Sequence, residues 1–368
     1  MVRVLLLFSS SELGGAERSL TRMALAPSTV EYRLGTLNGE GTWCDWVREL
    51  GHEPVVFGNR KGSAERIKFS LQSFAGLWRY ARREQIGVIY VCGVRAAFVL
   101  RLLKLLMPGV RIVHGVRWNP ASDSKLDRWF RFIERWFGSF IDYHITNSQA
   151  AADTLVKRCG ISPQRVGVIY NGIADLPKGI PSTAERPLQV LTVANLNPRK
   201  GHRAYLNAIR QVLAEEPSAQ FVFVGRDDMN GEIQRAIEDA GLSRAVRCEG
   251  FRADVSHYLR QARVFVLPSL SGEGCPTSLL ESFAWGCAVV AYKIDGIPEL
   301  VDDGEDGFLV APGDLNNMAV QIIRLLKDAD LADRLGKTGR KKVIGKFSIA
   351  SCAGAHQDTF AIVKALSR

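Results

Sequence analysis

The sequence predicts an α/β protein with two domains, each built as a doubly wound parallel sheet covered by helices. Three observations predict this class. Strand-like apolar runs alternate with helical patterns along the chain. A length of 368 residues suits two hydrophobic cores better than one. Residues 175–187 contain three prolines and little periodicity, so we place the domain boundary there.

The first half, residues 1–180, contains seven strand-like runs. They are expected at Arg3–Phe8, Arg33–Leu37, Pro54–Phe57, Val88–Val91, Val110–His114, Tyr143–Thr146 and Val166–Tyr170. The clearest helices between them are Ala16–Ala26, Phe69–Arg83 and Arg95–Leu106. His114 ends its predicted strand, at the carboxyl edge where open α/β sheets bind ligands. A structural histidine with satisfied hydrogen bonds is the alternative interpretation.

The second half, residues 186–347, continues the alternation. Strands are expected at Leu188–Val193, Phe221–Val224, Val246–Glu249, Val264–Leu267, Ala288–Tyr292 and Phe308–Val310. Asp314 is a good cap for the helix that follows. Residues 315–366 show helical patterns only.

Composition limits the classes of protein. No run of about 18 uncharged apolar residues occurs, so no membrane span is expected. The apolar run at residues 2–8 fits a strand better than a signal peptide. The seven cysteines lack Cys-x-x-Cys spacing. We therefore expect no metal site, no disulfide framework and a cytoplasmic location.

The net charge of +10 is concentrated in residues 78–136, which hold twelve Arg or Lys residues against four acidic ones. Four of the seven tryptophans lie there too. A nucleic acid or an anionic membrane would attract such a surface. No nucleic-acid recognition motif is present, so we expect a peripheral membrane contact and no nucleic acid.

Residues 125–141 form an unusual helical pattern within this stretch. Its apolar stripe is expected in the core and consists of Leu126, Trp129, Phe130, Ile133, Phe137 and Phe140. Phe132 and Trp136 lie on the shoulder of the stripe, whereas the opposite side carries Arg128, Arg131 and Arg135. This pattern fits an interfacial helix or a packed helix with snorkelling arginines.

A candidate anion site follows the apolar run 264–267. The next turn, residues 271–275, includes Gly274 and Cys275, and Pro276 and Thr277 then open a helical pattern. Free backbone N–H groups and the helix dipole favour negative charge at a helix start. These four residues are therefore candidates for binding the phosphates of a ligand.

Two acids flank this helix start. Glu273 lies in the turn and Glu281 lies in the helix. Phosphate would repel a carboxylate, whereas sugar hydroxyls donate hydrogen bonds to it. The layout indicates a sugar nucleotide; a solvated loop acid and a surface acid are the alternative. Lys200 precedes another helix start and is placed to meet a diphosphate, unless it is an ordinary surface lysine.

The stretch EGCPTSLLE, in which seven residues separate Glu273 from Glu281, resembles the donor-site signature of the retaining glycosyltransferases of family 4. A Gly-Ile-Pro-Glu turn follows, as in that family. The resemblance implies the GT-B fold, in which two Rossmann-like domains face each other across a cleft. Residues 1–180 would then form the acceptor-side domain and 186–347 the nucleotide-sugar domain. The last helix, 348–368, would pack back on the first domain.

The resemblance also implies roles for single residues. Gly15 belongs to a Gly-Gly-x-Glu sequence that approaches the donor, and His114 would act near the transferred sugar together with Glu273. Lys200 matches a lysine that binds the donor diphosphate. Asn195 stands where the family has a second cation, an arginine, and Arg199 is a candidate substitute for it.

The implied reaction transfers a hexose-type sugar from a UDP- or GDP-sugar to a hydroxyl of a glycan or lipid-linked acceptor, in lipopolysaccharide or exopolysaccharide synthesis. No cofactor or metal is expected, because protein cations and helix-start amides stabilise the leaving diphosphate. A GT-B sugar-nucleotide epimerase and a non-catalytic sugar-nucleotide-binding protein are the alternatives. A dinucleotide-binding oxidoreductase is disfavoured, since no Gly-x-Gly-x-x-Gly sequence follows a strand.

Overall fold

A computed structural model describes residues 2–58, 71–174 and 176–366 of the chain. The chain divides into two compact units, Met1–Ala174 with Ile349–Arg368, and Asp175–Ser348. Each unit has its own parallel sheet and apolar core, so the predicted fold class is confirmed. Phe69 and Ser70 of a predicted helix, and Asp175 of the predicted linker, lie outside the described residues.

The first unit contains a seven-stranded parallel sheet in the order β3-β2-β1-β4-β5-β6-β7. The strands are β1 Arg3–Phe8, β2 Glu31–Thr36, β3 Val55–Val56, β4 Val88–Cys92, β5 Arg111–Val116, β6 Tyr143–Thr146 and β7 Val166–Val168. The helices are α1 Gly15–Leu25, α2 Thr42–Glu49, α3 Leu71–Arg83, α4 Val94–Leu103, α5 Lys125–Phe137 and α6 Gln149–Cys159. Apolar strands such as Val88–Cys92 are buried throughout because helices cover both faces of the sheet.

The second unit contains a six-stranded parallel sheet in the order β10-β9-β8-β11-β12-β13. The strands are β8 Gln189–Val193, β9 Gln220–Val224, β10 Val246–Cys248, β11 Val264–Leu267, β12 Ala288–Tyr292 and β13 Gly307–Val310. The helices are α7 His202–Glu215, α8 Glu232–Asp239, α9 Ser256–Gln261, α10 Thr277–Ala284, α11 Leu315–Lys327 and α12 Ala329–Lys346. Asp314 caps α11 as predicted, because its side chain accepts a hydrogen bond from the Asn317 amide.

The last helix, α13 Ile349–Ala365, belongs to the first unit although it follows the second in the chain. Its buried residues, including Phe360 and Val363, join the core beneath β1 and β4. Among the helices of residues 2–58, 71–174 and 176–366, none is long and apolar enough to cross a membrane.

The predicted end of the fifth strand is wrong. β5 continues past His114 to Val116, and His114 pairs in register with Val91 and His144 of the neighbouring strands. The side chain of His114 is completely buried, so it does not lie at the carboxyl edge of the sheet. Arg117 is the residue that follows the strand.

The predicted core stripe of α5 is wrong in part. Phe130 and Ile133 are buried as expected, but Leu126, Trp129 and Phe137 are between 39% and 57% exposed. The inner face of α5 also carries Asp127 and Glu134, which are buried. Aromatic residues therefore occupy the outer side of this helix as well as its inner side.

Candidate functional site

The strand order of the second sheet reverses between β8 and β11, which pair directly through Val190–Val264 and Leu191–Phe265. Loops that leave two such strands diverge and open a crevice at the carboxyl edge, where ligands bind to open α/β sheets. The loop after β8 carries Lys200, and the loop after β11 carries Glu273. The topology thus brings together two residues that lie 73 positions apart in the sequence.

Lys200 and Glu273 form a salt bridge in which Lys200 Nζ contacts Glu273 Oε1. The two loops approach closely at Gly201, whose φ is +72° and where a Cβ would collide with the backbone oxygen of Pro268. Burial raises the pKa of Glu273, but the charge and hydrogen bond of Lys200, together with smaller contributions from a Ser269 hydrogen bond and the Arg199 charge, lower that pKa below its ordinary value. The site therefore holds a buried carboxylate paired with a cation.

Asp295 fixes the turn that presents Glu273. Its Oδ2 accepts hydrogen bonds from the backbone N–H groups of Gly272, at 2.7 Å, and Glu273, at 3.1 Å. Gly272 has a φ of +76°, and a Cβ there would collide with Arg199 Nη1. The Arg199 guanidinium consequently lies against the same turn. The role of Arg199 as a substitute for the arginine missing at Asn195 stays a prediction.

Asn195 makes a side-chain contact within the second unit, and its predicted place in the donor site stays a prediction. Its Oδ1 accepts a hydrogen bond of 3.1 Å from the backbone N–H of Arg226, which follows β9. The Arg226 side chain is partly exposed and donates to Asp228 Oδ1 at 2.7 Å. Asn195 thereby ties the turn after β9 to the loop after β8, and Arg226 brings a further cation to this edge of the sheet.

The helix start predicted as an anion site is α10. Gly274 and Cys275 are buried in the preceding turn, Pro276 occupies the N-cap position, and Thr277 is the first helical residue. The N-cap residue makes no side-chain hydrogen bond to the first turn of α10, and backbone N–H groups at a helix start favour an anion. Glu281 is half-buried about one turn after Thr277.

In the first unit, His114 belongs to a buried polar cluster rather than to a ligand site. His114 Nδ1 lies 3.1 Å from Glu134 Oε1, and His144 Nε2 lies 2.9 Å from Glu134 Oε2. Arg101 also donates to Glu134. Burial lowers the pKa of His114 to about 4, so its imidazole is neutral near pH 7. The predicted role of His114 in turnover stays a prediction, and its burial argues against contact with substrate.

The same cluster has the donor atoms of a metal site. His114, Glu134 and His144 each offer one ligand atom, and these atoms lie within 4.8 Å of one another. Arg101 already balances the charge of Glu134, however, so a divalent cation would add uncompensated positive charge in a buried place. The arrangement therefore fits a structural link between α4, α5, β5 and β6 better than it fits a metal centre.

Comparisons with known proteins decide the family. The family model described as Glycosyl transferases group 1 matches residues 187–328, and the model described as Glycosyltransferase Family 4 matches residues 13–175. Together the two matches cover most of the chain. The chain belongs to the family 4 glycosyltransferases.

Two relatives of this family 4 chain are named as glycosyltransferases. It is 23% identical over 308 residues to the UDP-Gal:α-D-GlcNAc-diphosphoundecaprenol α-1,3-galactosyltransferase of Escherichia coli, covering 79% of each chain. It is 30% identical over 177 residues to the amylovoran biosynthesis glycosyltransferase AmsK of Erwinia amylovora, covering 46% of this chain and 41% of that one. The chain thus spans less than half the length of this second relative.

A solved structure shares the fold of this glycosyltransferase. Anabaena HepE in complex with UDP and glucose superposes with a TM-score of 0.84 and 21% sequence identity, covering 98% of this chain and 100% of that one. At this identity the likeness establishes the GT-B fold.

In the first unit of this glycosyltransferase, Gly15 is the first residue of α1, is exposed and has open space around a Cβ, and its predicted contact with the donor stays a prediction. Arg117 follows the end of β5. Its Nη2 donates to Asn171 Oδ1, whereas Nε and Nη1 are buried without a partner among the described residues.

Proposed function

We propose that this family 4 glycosyltransferase moves a hexose-type sugar, with retention of configuration, from a nucleoside diphosphate sugar to a hydroxyl of a cell-envelope glycan or lipid-linked acceptor. One observation carries the proposal. The Lys200–Glu273 pair lies at the strand-order reversal of the second sheet, beside the uncapped start of α10. A cation, helix-start amides and a carboxylate are what a sugar diphosphate needs in one place.

The residues divide the work by charge. Lys200 and Arg199 would bind the diphosphate and stabilise it as it leaves, together with the first-turn amides of α10. Glu273 would accept hydrogen bonds from the transferred sugar, and Glu281 from the ribose. The protein cations would supply the leaving-group stabilisation, so the proposed reaction requires no metal.

We propose uridine as the base, with guanosine as the other candidate. The Escherichia coli relative is named for UDP-Gal, and HepE binds UDP. A panel of UDP, GDP and ADP sugars should raise the melting temperature selectively, because a ligand at 100 times its Kd adds about 2.7 kcal/mol of stability. Stabilisation by guanosine nucleotides alone would reject uridine.

Product analysis distinguishes the reaction from its alternatives. UDP should be released from the stabilising donor at a rate that rises with a lipid-diphosphate-linked monosaccharide, and the sugar should appear on that lipid. Donor conversion that is independent of any acceptor would indicate the epimerase. Binding with no conversion in any mixture would indicate the non-catalytic protein.

We also propose that the first unit docks on the anionic cytoplasmic face of a membrane. The observation is an apolar ridge on α4, the turn after it, and α5, consisting of Phe98, Leu102, Leu105, Leu106, Trp129, Phe132 and Trp136. Three of these side chains, Leu102, Leu105 and Trp136, are 66%, 76% and 65% exposed. The Phe98 and Trp129 rings, 5.9 Å apart, join the two helices. Soluble surfaces rarely expose so many large apolar side chains together.

Basic residues accompany the apolar ridge. Lys125, Arg128 and Arg135 of α5 are exposed and available to lipid phosphates. Arg131 is not, because its Nη1 donates to the backbone oxygens of Pro120 and Ser122 at 2.7 Å. The expected contact therefore combines insertion of apolar side chains, which resists salt, with charge attraction, which salt screens.

Vesicle sedimentation tests this surface. Binding to anionic vesicles should weaken at high salt without disappearing, and Phe132→Ser with Trp136→Ser should abolish it at every salt concentration. Ile362→Ser is the matched control, since Ile362 is 63% exposed on α13, outside the apolar ridge. Absence of binding at low salt, or equal loss in the control, would refute the membrane proposal.

A further inference from the structure

A cavity lies between α7 and α8 in the second unit and has a volume of about 850 Å³. Its walls include Leu206, Asn207 and Arg210 of α7 and Ile233, Ala236 and Asp239 of α8. Its lining includes neither Lys200 nor the two glutamates assigned to the donor. The volume falls within the range of about 300–1,000 Å³ typical of small-molecule sites.

The charges of the cavity favour an acidic ligand. Arg203, Arg210 and Arg235 line it, against Glu232 and Asp239. Arg203 is neutralised by its salt bridge to Glu232. Arg210 and Arg235 donate only to backbone oxygens in the contacts described, so those contacts leave their charges uncompensated. Guanidinium groups of this kind bind carboxylates and phosphates well.

We propose that the cavity between α7 and α8 is a second carbohydrate site, which binds an acidic saccharide through charge contacts to Arg210 and Arg235. The ligand class is a glycan segment that carries a carboxylate or a phosphate. This assignment rests on the proposed function in one respect, that the acceptor is a glycan. The site would hold part of that acceptor away from the donor.

Isothermal titration of the full chain, saturated with UDP, tests the site. The probes are digalacturonate, glucose 6-phosphate and a neutral disaccharide. At least one acidic probe should bind ten or more times more tightly than the neutral one, and the better acid identifies carboxylate or phosphate. In Arg210→Gln/Arg235→Gln this affinity should fall at least tenfold.

Arg244→Gln/Arg334→Gln is the matched control, because it removes two exposed arginines of the same unit that do not line the cavity. Its affinity for the acidic probe should equal that of the wild type. No acidic binding at 10 mM, equal binding of the neutral probe, or equal loss in the control would overturn the proposal. UDP affinity, measured separately, reports on the donor site and should be unchanged in both variants.

Discussion

Replacement of Lys200 by Met should weaken binding of the donor and also lower the stability of the fold, and the two effects can be measured separately. Lys200 supplies a charged hydrogen bond at the predicted diphosphate site, and such contacts are worth about 1.5–3 kcal/mol. The affinity for the nucleotide sugar should therefore fall about 10- to 150-fold. Binding of the free nucleoside, which lacks phosphate, should be unchanged.

The same substitution should destabilise the fold, since it leaves the buried Glu273 carboxylate without its closest cation. Loss of one partner from a buried pair costs about 3–5 kcal/mol. With Lys200 present, the pKa of Glu273 lies below its ordinary value, so the pair stabilises the protein above about pH 4.5 and that contribution disappears as the pH falls through the lowered pKa. The melting-temperature difference between wild type and Lys200→Met should thus be larger at pH 7 than at pH 4.

A second substitution tests whether the lost stability comes from the unpaired charge of Glu273. Adding Glu273→Gln to Lys200→Met removes the unpaired charge and should restore most of the lost stability, while the nucleotide-sugar affinity stays low. Lys341→Met, on the exposed side of α12, is the control for losing one lysine. Titration calorimetry and thermal melts give both quantities. Wild-type donor affinity in Lys200→Met, or no recovery of stability in the double variant, would refute this account of the pair.

Three further outcomes are expected. Glu281→Gln should raise KM for the donor with little change in kcat, whereas Glu273→Gln should lower kcat; kinetics that affect both constants alike would contradict the assignment. His114→Ala should lower the melting temperature, because it removes a hydrogen-bond partner from buried Glu134. An unchanged melting temperature would instead favour the hypothesis that His114 contacts the substrate. The free energy of unfolding should decrease as the pH falls from about 6.5 to 4. Burial lowers the pKa of His114 and His202 to about 4, so the unfolded chain binds more protons than the folded chain in this range. Each histidine should contribute a slope of about 1.4 kcal/mol per pH unit, which denaturant titrations at several pH values would measure.

Parts of the fold that depend on local pattern could be predicted from the sequence. The fully buried apolar run Val264–Leu267, the turn after it and the helix opening at Thr277 all appear where the pattern places them. Parallel strands are apolar along their whole length, and Gly and Pro mark the turns. The same pattern predicts the wrong end for β5, because a polar residue such as His114 resembles a strand terminus, whereas His114 pairs with Val91 and His144 inside the sheet.

Contacts between distant segments could not be predicted in this way. The hydrogen bonds from Asp295 to the Glu273 turn, and from Asn195 to Arg226, depend on which loops the sheet order brings together. The exposed side of α5 was misjudged for another reason. An apolar stripe predicts that a helix has an apolar face, but it does not predict which other segment packs on that face, because tertiary packing decides that.

The pairing of Lys200 with Glu273 reconciles two features that conflict when taken separately. A phosphate bound at the start of α10 would repel a neighbouring carboxylate, yet Glu273 lies in the turn directly before this helix. Glu273 itself is the anion that pairs with Lys200. We infer that a bound diphosphate would compete for Lys200 and release Glu273 toward sugar hydroxyls, which donate hydrogen bonds rather than repel it. Phosphate binding to Lys200 and contact of the Glu273 carboxylate with the sugar would then occur in one exchange of partners. Because Glu273 would no longer compete for Lys200, a nucleotide without its sugar should bind more tightly to Glu273→Gln than to the wild type.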